Sequence, residues 1–310
     1  MSTDVGVSPA AERSLRQEHI PLAIIYMVGA GVVFAATSAA SKWLVATYPI
    51  GEVLFTRALF GLIACGLFIL PAHGLAVFRT QRPRAHLIRG ISQSTSQCLL
   101  LIAFSMMPLA SATAINFSSP LFATLASAIF LKEGVGAARA SALIVGFIGV
   151  LMVTGPGADT VQVGALFALG NAVLFGTVTA GVRGMTATES AETLTMYQLV
   201  MLSCFYGLTL PFAFVTPTAE DLLMMVFNGV GNGLAQYCWT RALHMAPTAA
   251  VVPFNYLSLV WAVILGFAIW GDVPSATLIV GSAVVVGSGL FLLWRESRRR
   301  PHAVMQDDVG

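Results

Sequence analysis

Arg89, Gln93 and Gln97 stand four residues apart in an otherwise apolar stretch, and Asn228, Asn232 and Gln236 repeat the pattern 139 residues later. Side chains four apart share one face of a helix. Each set is therefore a polar stripe, and amides dominate both. An amide is neutral and both donates and accepts hydrogen bonds, so such a stripe suits recognition of a polar solute better than acid–base work. Asn116 and Asn255, again 139 apart, add a further matched pair. A lone amide in an apolar helix is ordinarily interhelical glue, contributing about 0.6–2 kcal/mol. A stripe matched at equivalent positions on four helices points instead to a lined pathway through Gln93, Gln97, Asn116, Asn232, Gln236 and Asn255.

The chemistry expected of an enzyme is absent from the pattern. No carboxylate pair or activated nucleophile falls inside an apolar run, and no Asp or Glu lies deep in one. Cys65, Cys98, Cys204 and Cys238 form no C-x-x-C, and the five histidines form no H-x-x-x-H, so neither a disulfide framework nor a metal centre is expected. No cofactor is called for.

The elements that carry these residues follow from composition. The chain of 310 residues is 57% hydrophobic and only 10% charged, with a mean hydropathy of +0.83. Soluble domains carry roughly 25% charged residues, so this is a chain built for a lipid bilayer. Ten apolar runs are long enough to cross about 30 Å of hydrocarbon: 20–39, 51–70, 87–107, 111–131, 138–155, 161–181, 193–215, 221–241, 248–270 and 275–294. With the N-terminus inside, the cytoplasmic segments collect Arg13, Arg16, Arg79, Arg82, Arg84, Arg89, Lys132, Arg139, Arg183, Arg241, Arg295, Arg298, Arg299 and Arg300, leaving only Lys42 and Arg57 elsewhere. That bias places both termini in the cytoplasm of an inner or plasma membrane, with the first span kept as an anchor rather than cleaved. Nothing suggests a nucleic-acid partner.

The run from Ala103 to Glu133 matches that from Ala242 to Asp272 without a gap: Met106 with Met245, Pro108 with Pro247, Asn116 with Asn255, Ser119 with Ser258. Slightly larger offsets pair Lys42 with Arg183 and Arg57 with Gln198. The chain is a duplication of about 140 residues. Five spans per half is an odd number, so the second half must lie inverted relative to the first, an arrangement that in secondary transporters places the substrate near the midplane between the halves.

"SKWL" at 41–44, "FTR" at 55–57, the paired hinges "MMPLASA" at 106–112 and "HMAPTAA" at 244–250, and the endings "FLKE" at 130–133 and "IWGD" at 269–272 resemble the EamA-type branch of the drug/metabolite transporter superfamily, from about residue 20 to 295. The resemblance implies an all-α integral membrane protein of ten transmembrane helices, arranged as two inverted five-helix repeats over 20–157 and 158–295, between cytoplasmic tails at 1–19 and 296–310. It implies a transporter of a small-molecule metabolite working by alternating access, without fixing the solute. Export of an amino acid or related metabolite is the first expectation, since neutral amides and one arginine suit a zwitterion or weak anion. Import of a cofactor-like solute such as riboflavin or S-adenosylmethionine is the alternative, and a membrane scaffold is the rival from another class.

Arg57 lies inside an apolar run, where an ion marks function unless it snorkels to headgroups. Arg89, Ser119, Asn228, Tyr237 and Tyr256 are further pathway or gate candidates, with Tyr237, Tyr256, Trp239 and Trp261 as possible aromatic walls. Ser111, Thr113 and Ser118 are expected to serve packing. Pro120 and Pro253 should bend the fourth and ninth spans. Glu133 and Asp272 are expected to start helices. Gly146, Gly149, Gly281, Gly287 and Gly289 suggest close packing of the fifth and tenth spans, within a chain or in a homodimer.

Overall fold

The computed structural model describes residues 20–130, 137–154, 159–185, 188–246 and 248–299. Residues 1–19 and 300–310, Lys132, Glu133 and Pro247 lie outside these, as do the side chains of Arg139 and Arg183; the last helix runs to Arg299, past the expected start of the C-terminal tail at 296. The described chain is helical throughout. Its elements are α1 (Ile20–Leu44), α2 (Ile50–His73), a 3-10 turn (Gly74–Phe78), α3 (Pro83–Met106), α4 (Leu109–Asn116), α5 (Ser119–Phe130) and α6 (Ala137–Thr154). They continue with α7 (Asp159–Met185), α8 (Ala191–Gly207), α9 (Ala219–Met245), α10 (Thr248–Asn255), α11 (Leu257–Trp270) and α12 (Ala276–Arg299). Among the described residues, five stretches are long and apolar enough to cross a membrane by length and composition alone: Ile20–Leu44, Ile50–Phe78, Gln162–Thr179, Ala250–Trp270 and Ala276–Arg295. The outer surface agrees, with Ile25, Leu67, Leu166 and Leu223 all at least two-thirds exposed, while Arg57, Arg89, Gln93, Gln198 and Asn228 are buried. An apolar core under an apolar surface, with the polar groups drawn inside, suits a lipid surround rather than water. The protein is a multi-pass membrane protein.

The fourth and ninth spans are not single bent helices. Each is two helices, broken at Phe117–Ser118 and at Tyr256. Pro120 has no N–H to give the carbonyl four residues back, and its ring crowds that turn. At both breaks a serine hydroxyl donates to a carbonyl of the turn before it: Ser118 to Ile115 O at 2.7 Å and Ser258 to Asn255 O at 2.7 Å. Pro253 lies inside α10, just before the second break.

Packing carries the two-fold character of the repeat. α1 lies against α9, α10 and α11, whereas its counterpart α7 lies against α3, α4 and α5. Each half thus lends its first helix to the other. Phe117 and Tyr256, equivalent residues at the two breaks, meet with their ring centroids 4.9 Å apart. α6 and α12 pack so closely that a Cβ on Gly149 would fall 2.9 Å from Gly281 O, and one on Gly281 2.8 Å from Gly149 O. These glycines serve contact within one chain. Gly287 has nothing within 4 Å of such an atom.

Asp272 does not start α12. Gly271, in the left-handed region at φ 71°, closes α11 by donating to Phe267 O at 2.9 Å. Ser275 then caps the next helix, accepting from the Leu278 amide at 3.1 Å. A serine one turn nearer the helix has the reach that a carboxylate before Pro274 lacks.

The repeats are tied together at both ends. At one, the Tyr48 hydroxyl donates to Asp221 at 2.8 Å and the Val215 amide to Glu52 at 2.9 Å. At the other, Thr80 donates to Glu189 at 2.6 Å, while Arg241 at 3.0 Å and Tyr237 at 3.2 Å hold Glu192 within the second half.

Candidate functional site

Between these ends lies a cavity open on one side. Gln93 and Gln97 reach it from α3, Asn116 from the end of α4, Asn232 and Gln236 from the middle of α9, and Asn255 from the end of α10. All six residues expected on a pathway therefore lie on one surface. Arg57 joins them from α2. The helix breaks explain the placement of the two asparagines, since each sits in the last turn of a half-helix that stops beside the cavity.

The other candidates sit elsewhere. Arg89 is buried beside the cavity, donating to Leu194 O at 3.0 Å and Gln198 Oε1 at 2.5 Å. Asn228 is fully buried and accepts from Ser41 at 3.1 Å. Ser119 does not line the cavity; its backbone backs onto α7, where a Cβ on Gly176 would fall 2.5 Å from Ser119 O. Tyr237 turns toward Glu192 and Phe68. Tyr256 packs under Phe117, and its hydroxyl closely approaches Gly289. Trp261 is partly exposed on the outer surface. The lower part of each stripe thus serves packing and the upper part the cavity.

Several lining residues escape the sequence pattern. Asn171, on α7, donates to Asn116 Oδ1 at 2.7 Å and accepts from Ser96 at 2.6 Å. Thr113, expected only to pack, lines the cavity although its hydroxyl bonds back to Leu109 O at 2.7 Å. Ser38 contributes from α1, and Phe34, Phe104, Phe117, Phe175 and Trp239 supply aromatic wall. Asn171 carried one signal, as the only amide in the apolar heart of its span, but it belongs to no repeated pair.

Arg57 is 6% exposed. Its guanidinium donates to Ser41 Oγ at 3.5 Å and to Gln97 Oε1. That burial excludes simple snorkelling, and with no carboxylate partner among the described residues its charge leaves a positive potential in the cavity. No cluster of metal-ligating residues occurs among the described residues. The site can desolvate a ring, satisfy polar edges with neutral amides and repel a cation.

The model of the EamA-like transporter family matches residues 21–155 and again 162–294. A riboflavin transporter of Rhizobium johnstonii is 31% identical over 89% of this chain and 92% of its own length. An S-adenosylmethionine uptake transporter of Rickettsia bellii is 26% identical, covering 88% of this chain and 96% of its own. A solved crystal structure aligns with 90% of this chain and 99% of its own at 20% identity with a TM-score of 0.63, a likeness of fold.

Proposed function

Because the chain belongs to the EamA-like transporter family, a family of transporters and not of enzymes, we propose that it moves a flat, uncharged, hydrogen-bonding metabolite of the flavin class by alternating access. In this reading ten helices cross an inner membrane as two inverted halves, both termini are cytoplasmic, and the cavity between the halves binds the solute. The observation that carries it is one cavity in which Gln93, Asn232, Gln236 and Asn255 stand among Phe34, Phe104, Phe117, Phe175 and Trp239. Aromatic faces take up a conjugated ring while amides answer its carbonyl and imide edges. The riboflavin-named relative supports the same class. S-adenosylmethionine fits less well, since its sulfonium would approach Arg57 with no carboxylate among the lining residues to balance it.

Arg57 favours a second reading, export of an amino acid, because a guanidinium with no carboxylate partner among the described residues suits a solute carboxylate. Uptake of labelled riboflavin by bacteria that lack their own flavin importer separates the two. Expression of this protein should confer saturable uptake that excess flavin abolishes and excess amino acids leave intact. Loss of the signal to amino acids, or efflux of them with no flavin uptake, would favour the second reading.

A further inference from the structure

The two halves share a pattern of amides but do not leave them equally available. In the first half, Gln97 accepts a hydrogen bond from Arg57, and Asn116 accepts one from Asn171 at 2.7 Å. Their counterparts are Gln236 and Asn255. Gln236 makes only a long contact of 3.5 Å to Thr240 on its own helix, and Asn255 makes no side-chain hydrogen bond among the described residues. Neither has an unpaired polar atom sealed away from the cavity. Asn232 is unpaired in the same way, and so is its counterpart Gln93, the one open amide of the first half.

The cause is visible in two residues that break the repeat. Gln198 stands where the first half has Arg57, and Ala30 stands where the second half has Asn171. Arg57 and Asn171 are therefore clamps without counterparts. Arg57 is itself held by Ser41, which donates onward to Asn228, and Asn171 is held by Ser96.

We infer that recognition in this near-symmetric cavity leans on the second half: the solute's hydrogen-bonding edge is read by Asn232, Gln236 and Asn255, with Gln93 alone from the first half, while Gln97 and Asn116 are structural members clamped by Arg57 and Asn171. This rests on the proposed function for its probe. An amide with no protein partner in a cavity must be answered by water or by solute, and displacing water by a well-matched solute edge is what makes such a group discriminate. A clamped amide has given up its best-placed acceptor and contributes rigidity instead.

The test uses thermal unfolding of the full chain in detergent, with and without riboflavin, for Asn116→Leu, Gln97→Met, Asn232→Leu and Asn255→Leu. Asn116→Leu and Gln97→Met should melt several degrees lower without ligand, because each strands a buried donor on Asn171 or Arg57. Asn232→Leu and Asn255→Leu should melt within about a degree of the parent, yet bind riboflavin at least about tenfold more weakly. Equal destabilisation by all four, or unchanged binding by the Asn232 and Asn255 variants, overturns the inference. If the parent shows no riboflavin-dependent rise, the flavin reading fails. The ligand-free ordering still decides the asymmetry, which stands if the first-half variants melt lower and falls if they do not.

Discussion

Asn171 holds together more of the cavity wall than its sequence context suggests. Its carbonyl takes the Ser96 hydroxyl and its amide nitrogen reaches Asn116, joining α3, α7 and the end of α4. Replacement by leucine keeps the volume and removes both partners, leaving Asn116 and Ser96 to find others in a 2% exposed site. Asn171→Leu should cost about 1–3 kcal/mol, read as a lower melting temperature, and the added change Ser96→Ala should recover part of it. A variant as stable as the parent would mean that water replaces both bonds. At this scale the sequence was informative where residues came in matched pairs, because duplication turns one amide into a pattern. It was silent for Asn171, whose counterpart is Ala30, and misleading for Arg89 and Asn228, where helical phase put them on the stripe but close helix contact buried them. Periodicity fixes a face. It does not say how far along that face the neighbouring helix closes.

The helices themselves were legible from apolar run lengths, and the positions of Pro120 and Pro253 announced trouble in the fourth and ninth spans. The run lengths could not reveal that each is two helices. A break depends on which groups bond the carbonyls beside it, and here serine hydroxyls donate to them. The glycines of α6 and α12 illustrate a second limit. Gly149 and Gly281 share a contact too close for side chains, whereas Gly287 faces open space, and composition alone treats all three alike. Gly281→Ala should destabilise by about 1–3 kcal/mol through overpacking against Gly149 O. Gly287→Ala should be neutral or slightly stabilising, since alanine is the better helix former. Denaturation of the purified variants in detergent reads both, and equal effects would dissociate stability from the α6–α12 crossing.

For the whole molecule, duplication and a lent first helix bear on the proposed cycle. In that alternating-access cycle, two halves tied at both ends release one set of ties to expose the cavity to one side. The Tyr48–Asp221 contact at 2.8 Å is such a tie. Cysteines introduced as Tyr48→Cys and Asp221→Cys, then bridged with a short bifunctional thiol reagent, should stop transport, whereas either single variant treated alike should retain it. Unimpaired transport in the bridged protein would mean that this end stays closed throughout the cycle. The native cysteines must first be replaced, since Cys204 is exposed.

The most direct test is counterflow in proteoliposomes preloaded with unlabelled riboflavin, which needs no knowledge of the driving ion. The parent protein should accumulate labelled riboflavin transiently, and the double variant Asn232→Leu with Gln236→Leu, folded and reconstituted to the same level, should not. Counterflow of equal size in the double variant would show that the solute does not pass through this cavity, and its absence in the parent would show that riboflavin is not the solute.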